Sequence, residues 1–175
     1  MSSTTDPLTD SARDSSTAAA VAVARSAGVA DPRGLRFGAA ITSVVLVVAL
    51  AVSGVSFVTS AVLLAAQAIV FALGVALGSS RSPYGLLFAA VVRPRIGAPQ
   101  HVEDARPPRF AQAVGLAFTL IGVVGFTLGI GLLGAIATGL ALVAALLNAT
   151  IGLCLGCEIY LIIRRLAPTS TPVEA

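Results

Sequence analysis

The chain has two cysteines, Cys154 and Cys157, and their spacing of three residues is typical of a redox-active pair. A C-x-x-C pair can cycle between a dithiol and a disulfide, and its thiolate is the reactive nucleophile. In a helix, residues three apart lie on one face, which would leave both sulfurs free for a cavity or a partner. The spacing therefore predicts that both cysteines are catalytic, in thiol redox chemistry or in a relay of sulfur.

Two other interpretations of the pair stay open. A cysteine in a lipid-embedded helix can act as a small apolar residue that only packs. A metal site would need more ligands, because two thiolates fill half of a tetrahedral site, and a second copy of the chain would have to complete it. His101 is expected to be a solvated loop residue. We therefore predict no metal and no cofactor, and leave open whether the protein is an enzyme or a homo-oligomer.

The elements that position the cysteines must be long apolar helices. Of 175 residues, 57% are hydrophobic and 11% are charged, and the mean hydropathy is +0.96. A soluble domain of this size does not carry such a composition on its surface, so the lipid bilayer must supply much of the solvent. The sequence predicts an all-α, multi-pass protein of a bacterial plasma (inner) membrane.

Four uncharged segments are long enough to span the bilayer. They cover residues 37–57, 58–78, 110–130 and 135–163. Together they form a predicted four-helix domain over 33–166, between a disordered tail at 1–32 and a C-terminal tail at 167–175. The last segment is longer than the hydrocarbon core, so tilt, a kink near Gly152 or protrusion beyond the headgroups should follow.

A solvated loop at 79–109 separates the second and third spans. Within it, residues 84–92 are apolar but too short to cross, which predicts a short helix at the interface or a plug in the bundle. Arginines occur in this loop, before the first span and after the last, and not in the opposite turns. The positive-inside rule therefore places the loop and both termini in the cytoplasm. Four loop arginines are candidates for partner docking: Arg93, Arg95, Arg106 and Arg109.

This orientation also bears on the cysteines. Cys157 lies seven residues before Arg164, or about 10 Å along a helix, so the pair is expected near the cytoplasmic boundary. Because that compartment is reducing, a transient disulfide is expected rather than a permanent structural one.

Small residues recur at intervals of four in the third and fourth spans, which lets helices pack closely in lipid. Gly125 and Gly129 form one row, and Asn148, Gly152 and Gly156 form another. We predict helix packing at these positions, with the Asn148 amide as a polar clamp between helices.

Composition disfavours two functional classes. The net charge of +3 reflects cytoplasmic loops, and aromatic platforms for bases are absent, so no nucleic-acid partner is expected. Small-solute transport is disfavoured because the sequence has no inverted repeat and no buried charge to couple an ion. Gln67, the strongly polar residue of the second span, is interpreted as structural. A non-catalytic membrane scaffold or assembly subunit stays as the alternative to a thiol protein.

Several motifs can be compared with known families. They are Asp31-Pro32-Arg33-Gly34 with Arg36-Phe37, Arg93-Pro94-Arg95, Pro107-Pro108-Arg109-Phe110, and Asn148 followed by Gly152 and the C-x-G-C of Cys154 to Cys157. With them, residues 31–166 resemble an uncharacterised, mainly actinobacterial family of integral membrane proteins, domain of unknown function 4395, with C-x-G-C in the last transmembrane helix. The resemblance implies no established activity. It implies a thioredoxin-like or rhodanese-like cytoplasmic partner, because genes of the family often neighbour such proteins.

Overall fold

The computed structural model describes residues 28–97 and 103–166. Four helices in these residues are long and apolar enough to cross a membrane: α1 (Pro32–Ser53), α2 (Phe57–Leu77), α5 (Arg106–Thr127) and α6 (Gly131–Ile151). The prediction of an all-α fold with four spans is confirmed. Most of the predicted N-terminal tail, the whole C-terminal tail and His101 lie outside the described residues.

Shorter elements join the four spans. A 3-10 turn (Ser79–Arg81) and α3 (Pro83–Leu87) follow α2, and α3 continues through a π-helical segment (Phe88–Val92) into α4 (Arg93–Ile96). The predicted short helix of the central loop is therefore present. The last helix is α7 (Leu155–Leu166). Two-residue strands β1 (Val29–Ala30) and β2 (Glu103–Asp104) pair antiparallel, so the residues before α1 and those before α5 lie side by side.

The helix boundaries follow from local chemistry. The Asp31 carboxylate accepts a hydrogen bond from the backbone N–H of Arg33, and Pro32 occupies the first position of α1. Ser56 caps α2 in the same way, because its hydroxyl accepts from the N–H of Thr59 at 3.2 Å. Two short hairpins result, α1–α2 and α5–α6.

The two hairpins form a closed four-helix bundle. Both α1 and α5 pack against α2 and α6, so α2 and α6 are diagonal to each other. The centre holds fully buried leucines, Leu46 and Leu64, with Phe126 at 2% exposure. Large apolar side chains also point outward, such as Val58 and Leu132, each about three-quarters exposed. An apolar outer surface of this kind indicates contact with lipid.

Glycine lets α5 and α6 approach closely. A Cβ atom on Gly125 would lie 2.5 Å from the backbone nitrogen of Gly134, so no side chain fits at this crossing. Gly129, by contrast, adopts φ +74° in the turn between the two helices, with open space around it. Gly125 therefore lies in a helix contact, whereas Gly129 forms a turn that needs its left-handed backbone.

The fourth apolar segment is not one helix. The expectation that the cysteines lie in the last transmembrane helix is wrong, because α6 ends at Ile151 and the chain is not helical from Gly152 to Cys154. Gly152 has φ +76°, the left-handed conformation that ends many helices. Tilt, a kink near Gly152 and protrusion beyond the headgroups were the three possibilities for this long segment. In the structure, the helix is interrupted at Gly152.

Candidate functional site

Cys154 and Cys157 lie at the start of α7, at disulfide-bonding distance and with their Cα atoms 5.2 Å apart. The backbone N–H of Cys157 donates a hydrogen bond to the sulfur of Cys154 at 3.3 Å. Cys154 therefore caps the helix, and Cys157 is the third residue of its first turn. Both cysteines are partly buried.

A helix N-terminus favours negative charge on this sulfur. The first N–H groups of a helix have no partner within the helix, and the aligned peptide dipoles give this end a partial positive charge. After reduction, the Cys157 N–H and the helix dipole would stabilise a thiolate at Cys154. Thiols in such positions are the reactive ones in proteins. The arrangement has the chemical features that disulfide exchange requires: two sulfurs at bonding distance and a donor beside one of them.

The turn that presents the cysteines is closed by backbone hydrogen bonds. The N–H of Gly152 donates to the carbonyl of Asn148 at 3.1 Å, and the N–H of Leu153 donates to the carbonyl of Leu147 at 3.3 Å. The first bond, from a glycine in the left-handed conformation to the carbonyl four residues earlier, is that of an αL cap, and both bonds satisfy carbonyls near the end of α6. The predicted packing position Gly152 thus shapes the turn before the cysteines.

Arg36 completes this helix end from another helix. Its guanidinium group donates to the carbonyl of Ala149 at 3.4 Å and to that of Thr150 at 2.7 Å. A cation is favourable at a helix C-terminus, where the dipole is negative and carbonyls lack partners. The start of α1 is therefore joined to the end of α6, directly before the cysteine turn.

Two contacts seat α7 on the start of α5. A Cβ atom on Gly156 would lie 2.6 Å from the Cα of Ala111, so the two backbones touch here. One turn later, the rings of Tyr160 and Phe110 pack with centroids 5.8 Å apart. Gly156 is thus a packing residue, in a contact between α7 and α5. These contacts fix the cysteine pair relative to the bundle.

A cavity of about 330 Å³ opens beside the pair. It lies among the starts of α1 and α5, the ends of α2 and α6, and the helices α3 and α7, and most of its wall is apolar. Its polar lining residues include Cys154, Asn148, Gln112, Tyr84 and Ser79. The Asn148 side chain lines this cavity, and its role as a clamp between helices stays a prediction. Sequence reasoning allowed for a cavity beside the sulfurs but did not predict its position or its lining residues.

Gln67 is held by a buried hydrogen-bond chain. Its side chain is 1% exposed, donates to the Thr42 hydroxyl at 3.2 Å and accepts from the Tyr84 hydroxyl at 2.7 Å. Burial raises the pKa of Tyr84, so this hydroxyl stays protonated and donates at neutral pH. The short helix α3 is thereby attached to the bundle by Tyr84, a residue that the sequence analysis did not single out.

The four candidate docking arginines have different surroundings. Arg109 donates to the carbonyls of Val75 and Ala76 at 3.0 Å or less and so satisfies the end of α2. Arg95 donates to a carbonyl of its own segment. All four residues are exposed, including Arg93 and Arg106. Arg109 thus has a structural contact, and a docking role for all four arginines stays a prediction.

The two hairpins repeat one another. The sequence R-x-x-R-F occurs at 33–37 and again at 106–110, each time at the start of a hairpin's first helix. Arg36 donates to carbonyls at the end of α6, and Arg109 makes the equivalent bonds at the end of α2. The ring of Phe37 packs on that of Phe88 with centroids 5.7 Å apart, and the rings of Phe110 and Tyr160 pack in the same way. Both hairpins start at the same end of the bundle, so the repeat is parallel. The repeated motif was a visible indication that sequence reasoning missed.

The repeat extends to the caps of the short helices. At the start of α3, the Ser82 hydroxyl accepts a hydrogen bond from the N–H of Gly85 at 3.2 Å. In α7, the sulfur of Cys154 accepts the corresponding bond from the N–H of Cys157. A Cβ at Gly85 would collide with the carbonyl oxygen of Ser79, so the first copy has no room for a second cysteine. Thiols are therefore confined to one of two equivalent turns.

Comparison with known proteins gives a match to a protein family. A family model described as a domain of unknown function (DUF4395) matches residues 30–165, which include all four spans and both cysteines. Neither a curated protein nor a solved structure matches the chain.

Proposed function

The chain belongs to the DUF4395 family, and we propose that it is a membrane-bound thiol–disulfide exchange protein whose reactive residues are Cys154 and Cys157. The observation that carries this proposal is the hydrogen bond of 3.3 Å from the Cys157 N–H to the Cys154 sulfur at the start of α7. It supplies Cys154 with a donor and a positive helix end, which make its thiolate a good leaving group.

The exchange runs in two steps. A thiolate of a partner dithiol attacks the sulfur of Cys157, the S–S bond to Cys154 breaks, and Cys154 leaves as the thiolate at the helix N-terminus. The second thiolate of the partner then attacks the partner's own sulfur in the mixed disulfide and releases Cys157 as a thiolate. Two electrons pass from the partner to the pair, and both thiolates take up protons from water. The reverse sequence reduces a partner disulfide.

The partner that fits is a soluble dithiol protein of the thioredoxin-like class, or a rhodanese-like protein. The pair lies beyond the end of α6, at the same end of the bundle as the arginines. Arg93, Arg95 and Arg106 are exposed there, and their positive charge would attract an acidic partner surface and speed its encounter.

The small-residue faces argue against the scaffold alternative. Gly125 already meets Gly134, and Gly156 already meets Ala111, at distances that leave no room for a further helix. These faces hold the chain together and are not available to recruit other proteins.

Mixed-disulfide capture tests the proposal. The oxidised protein in detergent is mixed with a reduced thioredoxin whose second cysteine is changed to Ser, and the adduct is mapped by mass spectrometry. We expect an adduct through Cys157 and none with the variant Cys154→Ser/Cys157→Ser. Absence of any adduct, together with failure of dithiothreitol to reduce the pair, would overturn the proposal. Addition of one sulfur atom to Cys154 by a rhodanese-like donor would assign the pair to sulfur relay instead.

A further inference from the structure

The cavity beside α7 is in contact with one of the two cysteines. Cys154 is among the residues that line it, and Cys157 is not. In the proposed exchange, Cys154 is the thiolate that the helix N-terminus stabilises. A molecule in the cavity would therefore lie next to the nucleophilic sulfur, while Cys157 stays the point of attack for a protein partner.

The cavity reaches into the hydrocarbon region. Phe118 and Leu140 line it, and they lie twelve residues after the start of α5 and eleven before the end of α6. At 1.5 Å per residue, these residues lie about 17 Å from the helix ends, which places them inside the uncharged spans. A water-soluble substrate would lose its hydration there without replacement. The occupant must be soluble in lipid.

Amide side chains belong to the lining of this apolar space. Gln112 lies six residues after the start of α5, and Asn148 lies three residues before the end of α6, so both are near the end of the bundle that holds Cys154. An amide donates hydrogen bonds, and a few polar groups of this kind orient the ligand in an otherwise apolar site. The lining therefore fits a ring that carries acceptor oxygens.

The volume limits the size of the occupant. About 330 Å³ is near the lower end of the range for ligand pockets, which is roughly 300–1,000 Å³. Such a space holds a substituted ring and excludes a whole membrane lipid. A long apolar tail on the ring would have to extend out of the cavity.

We infer that the cavity binds the head of a lipid-soluble quinone, which exchanges two electrons with the cysteine pair. This inference rests on the proposed function and names its membrane-side redox partner. The dithiol of Cys154 and Cys157 loses two electrons and two protons as the S–S bond forms, and the quinone takes them up to become a quinol. The amides of Gln112 and Asn148 would donate hydrogen bonds to the quinone oxygens. The pair would thus connect a soluble dithiol protein with the quinone pool.

The test uses decylubiquinone, a quinone whose ring is fully substituted and therefore does not add to thiols. The protein in detergent is reduced, freed of reductant and mixed with this quinone, and free thiols and quinol are counted over time. We expect one quinol per disulfide formed. Two adjacent alanines give a matched pair of variants, because Ala39 lines the cavity and Ala40 faces outward. Ala39→Leu should slow the reaction about tenfold, and Ala40→Leu should leave it unchanged.

A water-soluble oxidant separates this inference from the proposed function. Diamide should oxidise the reduced pair at the same rate in both variants, which shows that the thiols and the fold are intact. If diamide oxidises the wild-type pair but decylubiquinone does not, or if Ala39→Leu and Ala40→Leu react equally with the quinone, the inference is wrong and the exchange function stands. If neither oxidant forms the disulfide, the exchange function itself is wrong.

Discussion

The backbone N–H of Cys157 points at the sulfur of Cys154, 3.3 Å away, across the first turn of α7. This bond makes the two cysteines unequal although they share one disulfide. Cys154 accepts a hydrogen bond, lies at the helix N-terminus and lines the cavity, whereas Cys157 lies within the first turn of the helix. The inequality leads to a prediction about reactivity.

In the reduced protein, Cys154 should be the faster nucleophile. Cys157→Ser leaves Cys154 alone at the cap, and Cys154→Ser leaves Cys157 alone in the helix. We expect iodoacetamide to alkylate the first variant about five times faster at neutral pH, because the helix end stabilises the thiolate. Mass spectrometry of quenched samples gives the rates. Equal rates, or faster alkylation of Cys157, would contradict the assigned roles.

Replacing Gly152 should disturb the cysteine turn. An alanine here must adopt φ near +76°, which costs about 1 kcal/mol relative to glycine. Gly152→Ala should therefore lower thermal stability and slow disulfide formation. Gly139→Ala is the matched control, because Gly139 lies within α6 with open space around it. Thermal unfolding in detergent measures the stability of both variants, and equal melting temperatures would refute the assignment of the turn.

The two equivalent arginines should stabilise the bundle alike. Arg36→Gln and Arg109→Gln each remove charged donors from the carbonyls of a helix end, which should cost about 1 kcal/mol of unfolding free energy. Arg106→Gln is the control, because its side chain is exposed and makes no such contact. Unfolding titrations with urea or guanidinium in mild detergent would compare the unfolding free energies of the three variants. A loss in Arg106→Gln as large as in the other two variants would speak against specific capping.

Close packing of α5 and α6 should depend on the absence of a side chain at Gly125. Gly125→Leu would place carbon atoms where the Gly134 backbone lies and should cost about 1–3 kcal/mol or prevent assembly. Gly54→Ala is the control, since only one atom lies near the added Cβ, at 3.9 Å. Yield of monodisperse protein and melting temperature are the measurements. Normal stability of Gly125→Leu would mean that the helices cross elsewhere.

Tyr84 should make stability depend on pH in the alkaline range. Burial raises its pKa above the 10.0 of a free tyrosine, so the folded protein holds this proton more tightly than the unfolded chain. The stability that this protonated tyrosine contributes is fully present below pH 10, and it is lost as the pH rises through the raised pKa of Tyr84. Tyr84→Phe removes the donor to Gln67 and should lower stability by about 1 kcal/mol at neutral pH. Its stability should then fall less than that of the wild type above pH 10, and parallel curves would contradict this account.

The sequence allowed the four spans to be predicted, because uncharged runs of about twenty residues are specific to lipid-exposed helices. It offered a kink near Gly152 as one possibility but did not predict that α6 ends there, because glycine is common inside transmembrane helices and Gly152 has no local mark of its left-handed backbone. Because α7 begins only after the helix is interrupted at Gly152, the helix N-terminus at Cys154 was not predicted either. The bond between Tyr84 and Gln67 and the cavity depend on tertiary packing, which spacing along the chain does not record.

The most direct test of the central claim is the redox state of the pair in membranes. Vesicles containing the full chain are equilibrated with mixtures of reduced and oxidised dithiothreitol, quenched with acid and labelled with a maleimide that adds a large mass per thiol. The account predicts that Cys154 and Cys157 pass together between no label and two labels, in one two-electron step that Cys154→Ser abolishes. A pair that keeps the same labelling in every mixture would contradict it.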